Sequence, residues 1–107
     1  MLKYSVLVPT HDNDGKEFSP GTIQKFEFEV MTLTGGLTRE GVVEGQWMDQ
    51  KDRRVYVDKS IKYTIAVKEK DLQMLQVIVK MHMRRLGQIS YYYEVDRHTE
   101  VNIEFLG

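Results

Sequence analysis

The chain has 107 residues, 41% of them hydrophobic and 29% charged, which suits one domain spanning residues 1–107. Its 15 basic and 16 acidic residues lack the basic excess typical of nucleic-acid-binding proteins, so nucleic acid is not an expected partner. The absence of cysteine excludes disulfides, thiol catalysis and cysteine-bound zinc. No apolar run approaches the ~20 residues that span a bilayer, and MLKYSVLVPT is typical of a strand rather than a signal peptide, so we expect a cytoplasmic protein without a membrane partner.

The first predicted strand covers residues 2–8, where apolar side chains occupy the even positions. A helix is predicted over residues 19–33. Ser19 suits its N-cap and Pro20 its first position, and Gly35 suits the left-handed C-terminal cap. The stretch FEFEV within this helix also fits a short strand, which is the alternative reading of the segment.

The next two predicted strands cover residues 37–47 and 53–67, each with its odd positions towards the core. Gly41 and Gly45 then lie on the inward face of the second strand. We expect them to mark a bulge or a close contact with a large neighbouring side chain.

The second predicted helix covers residues 69–86, where apolar residues recur at helical spacing and Gly87 suits the C-cap. A fourth strand is predicted over residues 89–95. The turn DRHT (96–99) separates it from a possible fifth strand at residues 101–105.

This order of elements predicts an α+β, ferredoxin-like βαββαβ sandwich with an antiparallel sheet, both helices on one face and a possible extra C-terminal strand. In that fold the loop 10–18, the hairpin 48–53 and the turn 87–88 share one end of the sheet. The glycines of TGGLT lie at the other end. Because they follow a helix instead of preceding one, they have the wrong polarity for a phosphate-binding loop.

Five residues carry a resemblance to a known family: Gly36, Leu37 and Thr38 in one turn, and Gly45 and Trp47 at a strand end. With the order of elements, they resemble an uncharacterised family of small bacterial α+β domains that have a Gly-Phe-Thr turn and a Gly-x-Trp strand end. The resemblance implies a ferredoxin-like fold and no known activity. The topology is also similar to small trimeric signalling proteins and to dimeric α/β-barrel monooxygenases, but no site motif of either is present.

The loop 10–18 holds the residues most typical of a metal site, with Asp12 and Asp14 as the candidate ligands beside His11. It lacks the third aspartate and the distal glutamate of an EF-hand, and Asn-Asp-Gly is also common in solvent-exposed turns. We therefore predict no metal and no cofactor.

Catalytic residues are not identified, because no nucleophile or histidine motif is present. His82 is expected in the core or an interface, since it lies on the apolar side of its helix. A ligand pocket is predicted near the loop 10–18. Its candidate residues are Trp47, His11, Tyr91 and Arg54.

The sheet face that the helices leave open is predicted to carry a mixed-charge interface formed by Tyr56, Lys62, Tyr92 and Glu94. Two tyrosines on such a face are also typical of base stacking in RNA-binding domains, but the acidic residues there oppose a phosphate backbone. A solvated face is the third possibility.

The second helix is apolar over more than one side, with Met74, Met81 and Met83 beside its main stripe, which suggests a second contact and a homo-oligomer, either a dimer or a trimer. The sequence therefore favours a non-enzymatic, homo-oligomeric binding or regulatory protein. Two alternatives stay open: a small-molecule enzyme with its pocket near Trp47, and a protein that binds single-stranded RNA through the open sheet face.

Overall fold

The computed structural model describes residues 1–98 and 100–104. Its elements are β1 (Leu2–Pro9), α1 (Pro20–Thr34), β2 (Thr38–Met48), β3 (Val55–Val67), α2 (Leu72–Arg85) and β4 (Tyr93–Asp96), with one 3-10 turn (Glu69–Asp71) before α2. The sheet order is β2-β3-β1-β4 and every neighbouring pair is antiparallel. The predicted ferredoxin-like sandwich is thereby confirmed.

The core lies between the sheet and the two helices. The even positions of β1 and the odd positions of β3 from Ile61 onward are buried beneath both helices. The Phe26 ring of α1 lies 5.5 Å from the Tyr63 ring and 4.4 Å from the His82 ring of α2. His82 is only 2% exposed and is a core residue, as predicted. Neither described helix is long and apolar enough to cross a membrane.

The caps of α1 form as the sequence predicts, which rules out the strand reading of FEFEV. The Ser19 hydroxyl accepts a hydrogen bond from the Thr22 backbone N–H at 3.3 Å. Gly35 ends the helix with φ at 90°, a left-handed conformation that costs glycine little.

A carboxylate anchors α1 to the sheet. The Glu27 carboxylate accepts a hydrogen bond from the Tyr63 hydroxyl at 2.7 Å and also pairs with the Arg39 guanidinium at the start of β2. Burial raises the pKa of Tyr63, and the Glu27 carboxylate raises it further. The same carboxylate raises the pKa of Arg39, so this cluster joins one helix to two strands.

The β2–β3 ribbon continues past the rest of the sheet. The pairing of β1 with β3 ends at Pro9 and Ser60, whereas β2 and β3 stay paired from Glu44 and Lys59 to their turn. We call residues 44–59 the arm and the rest of the described chain the body. The arm is exposed along both strands apart from the half-buried Tyr56 and Asp49.

The arm corrects the prediction that residues 53–67 form one strand with a face buried along its whole length. Val55 and Val57 hold the same odd positions as the core residues of β3, yet each is 53% exposed. The described helices cover only the body, so these side chains lack cover from their own chain.

A bulge reverses the predicted faces of β2. Glu40 and Gly41 together oppose the single residue Lys62, because the register shifts between Arg39 and Val42. Gly41 has φ at 108°, which only glycine adopts readily. One extra residue inverts every later position, so the prediction of an inward-facing second half of β2 was wrong.

The open face therefore carries Val43, Gly45 and Trp47, all predicted to face the core. The expected close contact at Gly45 is also absent. A Cβ built there would meet no described atom within 4 Å.

The C-terminal predictions hold only in part. The fourth strand is Tyr93–Asp96 instead of 89–95, and Ile89 is fully exposed in irregular chain. The turn after β4 is present, since Asp96 accepts a hydrogen bond from the His98 backbone N–H at 2.8 Å. Residues 100–104 form no strand, and the prediction for residues 99 and 105 lies outside the described residues.

Candidate functional site

An open groove of about 1050 Å³ lies where the arm leaves the body. Its walls are the two strands of the arm, the loop after β1 and the segment before β4. We call it the arm groove. Four aromatic side chains line it: Trp47, Tyr56, Tyr91 and Tyr92.

Two of these aromatic residues form the arm wall. Trp47 and Tyr56 are cross-strand partners whose rings stack at 4.5 Å with 16° between their planes. The Trp47 indole N–H donates a hydrogen bond to the Asp58 carboxylate at 2.9 Å. The indole is therefore held in place while remaining 51% exposed, which suits a planar ligand or a cation.

Tyr91 and Tyr92 lie in the segment before β4. The Tyr92 hydroxyl donates a hydrogen bond to the Glu94 carboxylate at 2.6 Å, and this bond raises the pKa of Tyr92. The Tyr91 ring lies 5.8 Å from the Tyr93 ring, which stacks on the buried Tyr4 ring at 5.6 Å. These three tyrosines form a continuous row from the groove into the core.

The third wall is tied to the base of the arm. The backbone N–H of Thr10 and its hydroxyl both donate to the Lys59 carbonyl, at 3.1 and 3.2 Å. The Thr10 hydroxyl also lies 2.7 Å from the His11 Nδ1. His11 is thereby positioned beside the arm, although the two segments are far apart in the sequence.

The metal candidates in this loop are part of a turn. The Asp12 carboxylate accepts backbone hydrogen bonds from Asp14 at 2.9 Å and from Lys16 at 2.8 Å, which is ordinary turn chemistry. Among the described residues no three metal-ligating side chains lie together. The Asp12 carboxylate therefore shapes the groove wall.

The structure brings together three of the four predicted ligand residues, Trp47, His11 and Tyr91. Arg54 lies outside the groove lining, in the turn of the arm, where its backbone N–H bonds the Asp52 carboxylate at 2.8 Å. The two strands have nearly the predicted lengths, but they continue past the end of the pairing of β1 with β3, and this carries Arg54 away from the body.

Sequence reasoning assigned Tyr56 and Tyr92 to a sheet-face interface and missed them as groove residues. The sequence signal that could have found them is Gly41. A bulge at Gly41 turns Trp47 to the same face of the arm as Tyr56, so that both side chains line one groove.

The open face of the body has the mixed charge that the sequence predicts. The Lys62 ammonium lies 3.3 Å from the Glu40 carboxylate, which also accepts a hydrogen bond from the Thr64 hydroxyl at 3.0 Å. These contacts lower the pKa of Glu40, the Thr64 bond contributing most. RNA binding through Tyr56 and Tyr92 stays a prediction.

No protein-family model and no curated protein matches this sequence. Solved structures do share its fold. A phage SAM lyase in complex with S-methyl-5'-thioadenosine matches with a TM-score of 0.62 and 13% identity, over 89% of this chain and 79% of that chain. The apo state of a phage SAM lyase gives a TM-score of 0.60 and 13% identity, over 89% and 78%.

The CutA protein of Pyrococcus horikoshii, solved in the presence of 3M guanidine hydrochloride, matches with a TM-score of 0.53 and 11% identity. The match covers 95% of this chain and 88% of that chain. Identities this low show the fold alone. What this chain shares with these proteins is the α+β, ferredoxin-like architecture.

Proposed function

We propose that this protein is a homo-oligomeric, non-enzymatic binding domain that holds a small organic molecule in the arm groove. The observation that carries the proposal is the convergence of four aromatic side chains on one open groove, with Trp47 fixed by Asp58. Ligand sites are typically concave and largely apolar, with a few well-placed polar groups.

The chemistry of the groove favours a planar ring that carries a polar or cationic group. The half-exposed Trp47 indole offers an area for stacking, and the Asp58 and Asp12 carboxylates among the lining residues favour positive charge. His11 and Lys59 add hydrogen-bond donors to the same lining.

The arm supports the oligomer. A two-stranded ribbon is marginally stable by itself in water, yet this one carries exposed apolar side chains on both faces. These side chains are Trp47, Met48, Val55 and Val57. A second copy of the chain that packs on the face of the arm with Met48, Val55 and Val57 buries these three side chains and pairs the free edge of β2, while Trp47 on the other face stays open to the groove.

Ligand binding is tested with S-methyl-5'-thioadenosine, a nucleoside with a planar adenine ring that the phage SAM lyase holds in its complex. Trp47 is the only tryptophan, so its fluorescence reports the groove directly. We expect saturable quenching that disappears in Tyr56→Ala and persists in the matched control Tyr56→Phe. Unsaturable quenching, or equal quenching in Tyr56→Ala, contradicts the proposed site.

The oligomer is tested by light scattering coupled to size-exclusion chromatography. Val57→Asp places a charge on the apolar face of the arm and is expected to reduce the mass to that of one chain. Phe28→Asp, at a residue of α1 that is 69% exposed, is the matched control and is expected to leave the mass unchanged. A wild-type monomer at high concentration contradicts the oligomer.

A second candidate is an enzyme that acts on a sulfonium nucleoside in the same groove. The observation that favours it is the fold shared with the phage SAM lyase over 89% of this chain. Incubation with S-adenosylmethionine and chromatography of the products tests it. Turnover that Trp47→Ala abolishes supports an enzyme, and recovery of intact substrate favours the binding protein.

A further inference from the structure

A buried hydroxyl in the core lacks a partner. Tyr4 is 0% exposed, and its hydroxyl oxygen makes no hydrogen bond with any described residue. A buried unpartnered polar group costs about 1–3 kcal/mol relative to an apolar group of the same shape. Phenylalanine at this position fills the same space without that cost, so the hydroxyl calls for an explanation.

The other buried tyrosine in the sheet is a useful contrast. The Tyr63 hydroxyl, equally inaccessible, donates its hydrogen bond to Glu27 at 2.7 Å. The two phenols lie on neighbouring strands and face the same core. This chain therefore satisfies one of them internally and leaves the other without a protein partner among the described residues.

The position of Tyr4 links it to the arm groove. Its ring stacks on Tyr93 at 5.6 Å, and Tyr93 lies 5.8 Å from Tyr91, which lines the groove. Tyr91 and Tyr93 both raise the pKa of Tyr4, as does burial, the largest cause. The phenol is thus neutral at physiological pH and can donate a hydrogen bond.

The segment between the arm groove and Tyr4 is short and irregular. Residues 86–92 connect α2 to β4 without regular structure, and Ile89 within them is fully exposed. Tyr91 is the member of the tyrosine row that lines the groove, so a molecule that reaches Tyr4 from the groove has to displace the Tyr91 side chain.

We propose that the Tyr4 hydroxyl is the deep polar subsite of the arm groove and donates a hydrogen bond to an acceptor atom of the bound molecule. This inference rests on the proposed small-molecule function. It assigns an acceptor, such as a ring nitrogen or a hydroxyl oxygen, to the end of the ligand that inserts beside Tyr91.

Three proteins test the subsite: wild type, Tyr4→Phe and the control Tyr63→Phe. Calorimetry with S-methyl-5'-thioadenosine measures binding, and urea unfolding of the free proteins followed by circular dichroism measures stability. We expect Tyr4→Phe to bind about tenfold more weakly, because one hydrogen bond is lost. Its urea midpoint is expected to be equal to or above that of wild type, because an unpartnered group is removed.

Tyr63→Phe is expected to behave in the opposite way. It loses its bond to Glu27, so its urea midpoint is lowered while its affinity equals that of wild type. Equal affinity in Tyr4→Phe and wild type overturns the subsite. If wild type binds no nucleoside, the proposed ligand class is contradicted. The urea midpoints of the free proteins then test the inference about Tyr4. A midpoint of Tyr4→Phe equal to or above that of wild type supports the inference, because the hydroxyl is then unpartnered in the free protein, and a midpoint lowered as in Tyr63→Phe overturns it.

Discussion

The strand β3 runs through both the arm and the body, yet only the body buries one of its faces. In the body Ile61, Tyr63 and Ile65 are at most 6% exposed, whereas Val55 and Val57 in the arm are 53% exposed. The alternation of residue types is continuous across both regions. It therefore reports that a strand has two faces, and it does not report where the helices that cover one face come to an end.

The body supplies most of the stability of the fold, and the arm supplies exposed side chains for binding. The body has a closed core between sheet and helices, which supplies most of the favourable free energy of folding. The arm has no such core and is held by its ladder of backbone hydrogen bonds, by the stacked Trp47 and Tyr56 rings and by its turn, in which Asp49 accepts hydrogen bonds from the Lys51 and Asp52 backbone N–H groups. Side chains on the arm are consequently free to contact a ligand or another copy of the chain.

The largest expected effect comes from truncating an aromatic residue in the body. Phe26→Ala removes a fully buried ring in contact with Tyr63 and His82. We expect the free energy of unfolding to fall by about 3–5 kcal/mol, because both burial and packing are lost. Urea unfolding followed by circular dichroism measures this.

The same truncation in the arm is the control. Trp47→Ala removes a half-exposed ring, and we expect a loss of about 1 kcal/mol or less, from its stacking on Tyr56. The comparison is made at several protein concentrations, because an oligomer adds a concentration-dependent part. Equal losses for Phe26→Ala and Trp47→Ala at low concentration contradict the division into body and arm.

The next effect is a pH dependence that arises in the body. Burial lowers the pKa of His82 to about 4, and Arg85 lowers it while Glu29 opposes the shift. The unfolded chain, with a histidine pKa of about 6.5, binds an extra proton between these two values. Stability therefore falls as the pH falls from about 6.5 to 4, by at most about 3 kcal/mol.

Unfolding of wild type and His82→Gln between pH 4 and 7 measures this contribution. Carboxylates titrate in both proteins. The informative quantity is therefore the difference between the two slopes of the free energy of unfolding against pH. We expect a shallower slope in His82→Gln. Parallel slopes show that His82 takes up its proton as readily in the folded as in the unfolded protein, and they contradict its burial as a neutral ring.

A smaller effect is expected where β2 leaves the body. Glu27→Gln weakens the contacts of α1 with Tyr63 and Arg39, and we expect a loss of about 1–2 kcal/mol. Glu40→Gln, one residue beyond Arg39, removes an exposed ion pair with Lys62 and is expected to leave the urea midpoint unchanged. Similar midpoints for the two variants contradict the role of Glu27 as an anchor.

The sequence predicts the body well because its signals there are local. The Ser19 cap, the Gly35 cap and the even positions of β1 each depend on a few neighbouring residues, and each is confirmed. The short β4 is less predictable. Tyr91 and Ile89 continue the alternation of a strand, but β1 pairs with β4 only through the four positions from Tyr93 to Asp96.

The groove is harder to predict because the faces of its side chains depend on how many residues each strand has between paired positions, and the alternation of residue types does not show an extra residue. The topology places the loop 10–18 and the arm at one end of the sheet, so His11 and Trp47 are brought together as expected. The face of Trp47 depends on one extra residue at Gly41, and glycine alone does not distinguish a bulge from an ordinary strand position. Tyr56 was therefore not predicted among the groove residues, although it lines the groove.

The smallest expected effect comes from changing Gly41, the extra residue of the bulge in β2. Gly41→Ala places a side chain at φ of 108° with no described atom within 4 Å of the new Cβ, so its cost comes from the backbone alone. We expect a loss of about 1–2 kcal/mol. Gly45→Ala, an arm position without positive φ and equally open, is the control, with an expected change below about 0.5 kcal/mol.

The fluorescence spectrum of Trp47 shows whether Gly41→Ala keeps the bulge or expels it. If the bulge persists under strain, the indole stays bonded to Asp58, and its emission and its response to S-methyl-5'-thioadenosine match those of Gly45→Ala. If the chain expels the bulge instead, every later side chain of β2 moves to the opposite face, and Trp47 leaves Tyr56. Unchanged stability together with an unchanged Trp47 spectrum contradicts a strained bulge at Gly41, and with it the reason why the groove lies on this face of the arm.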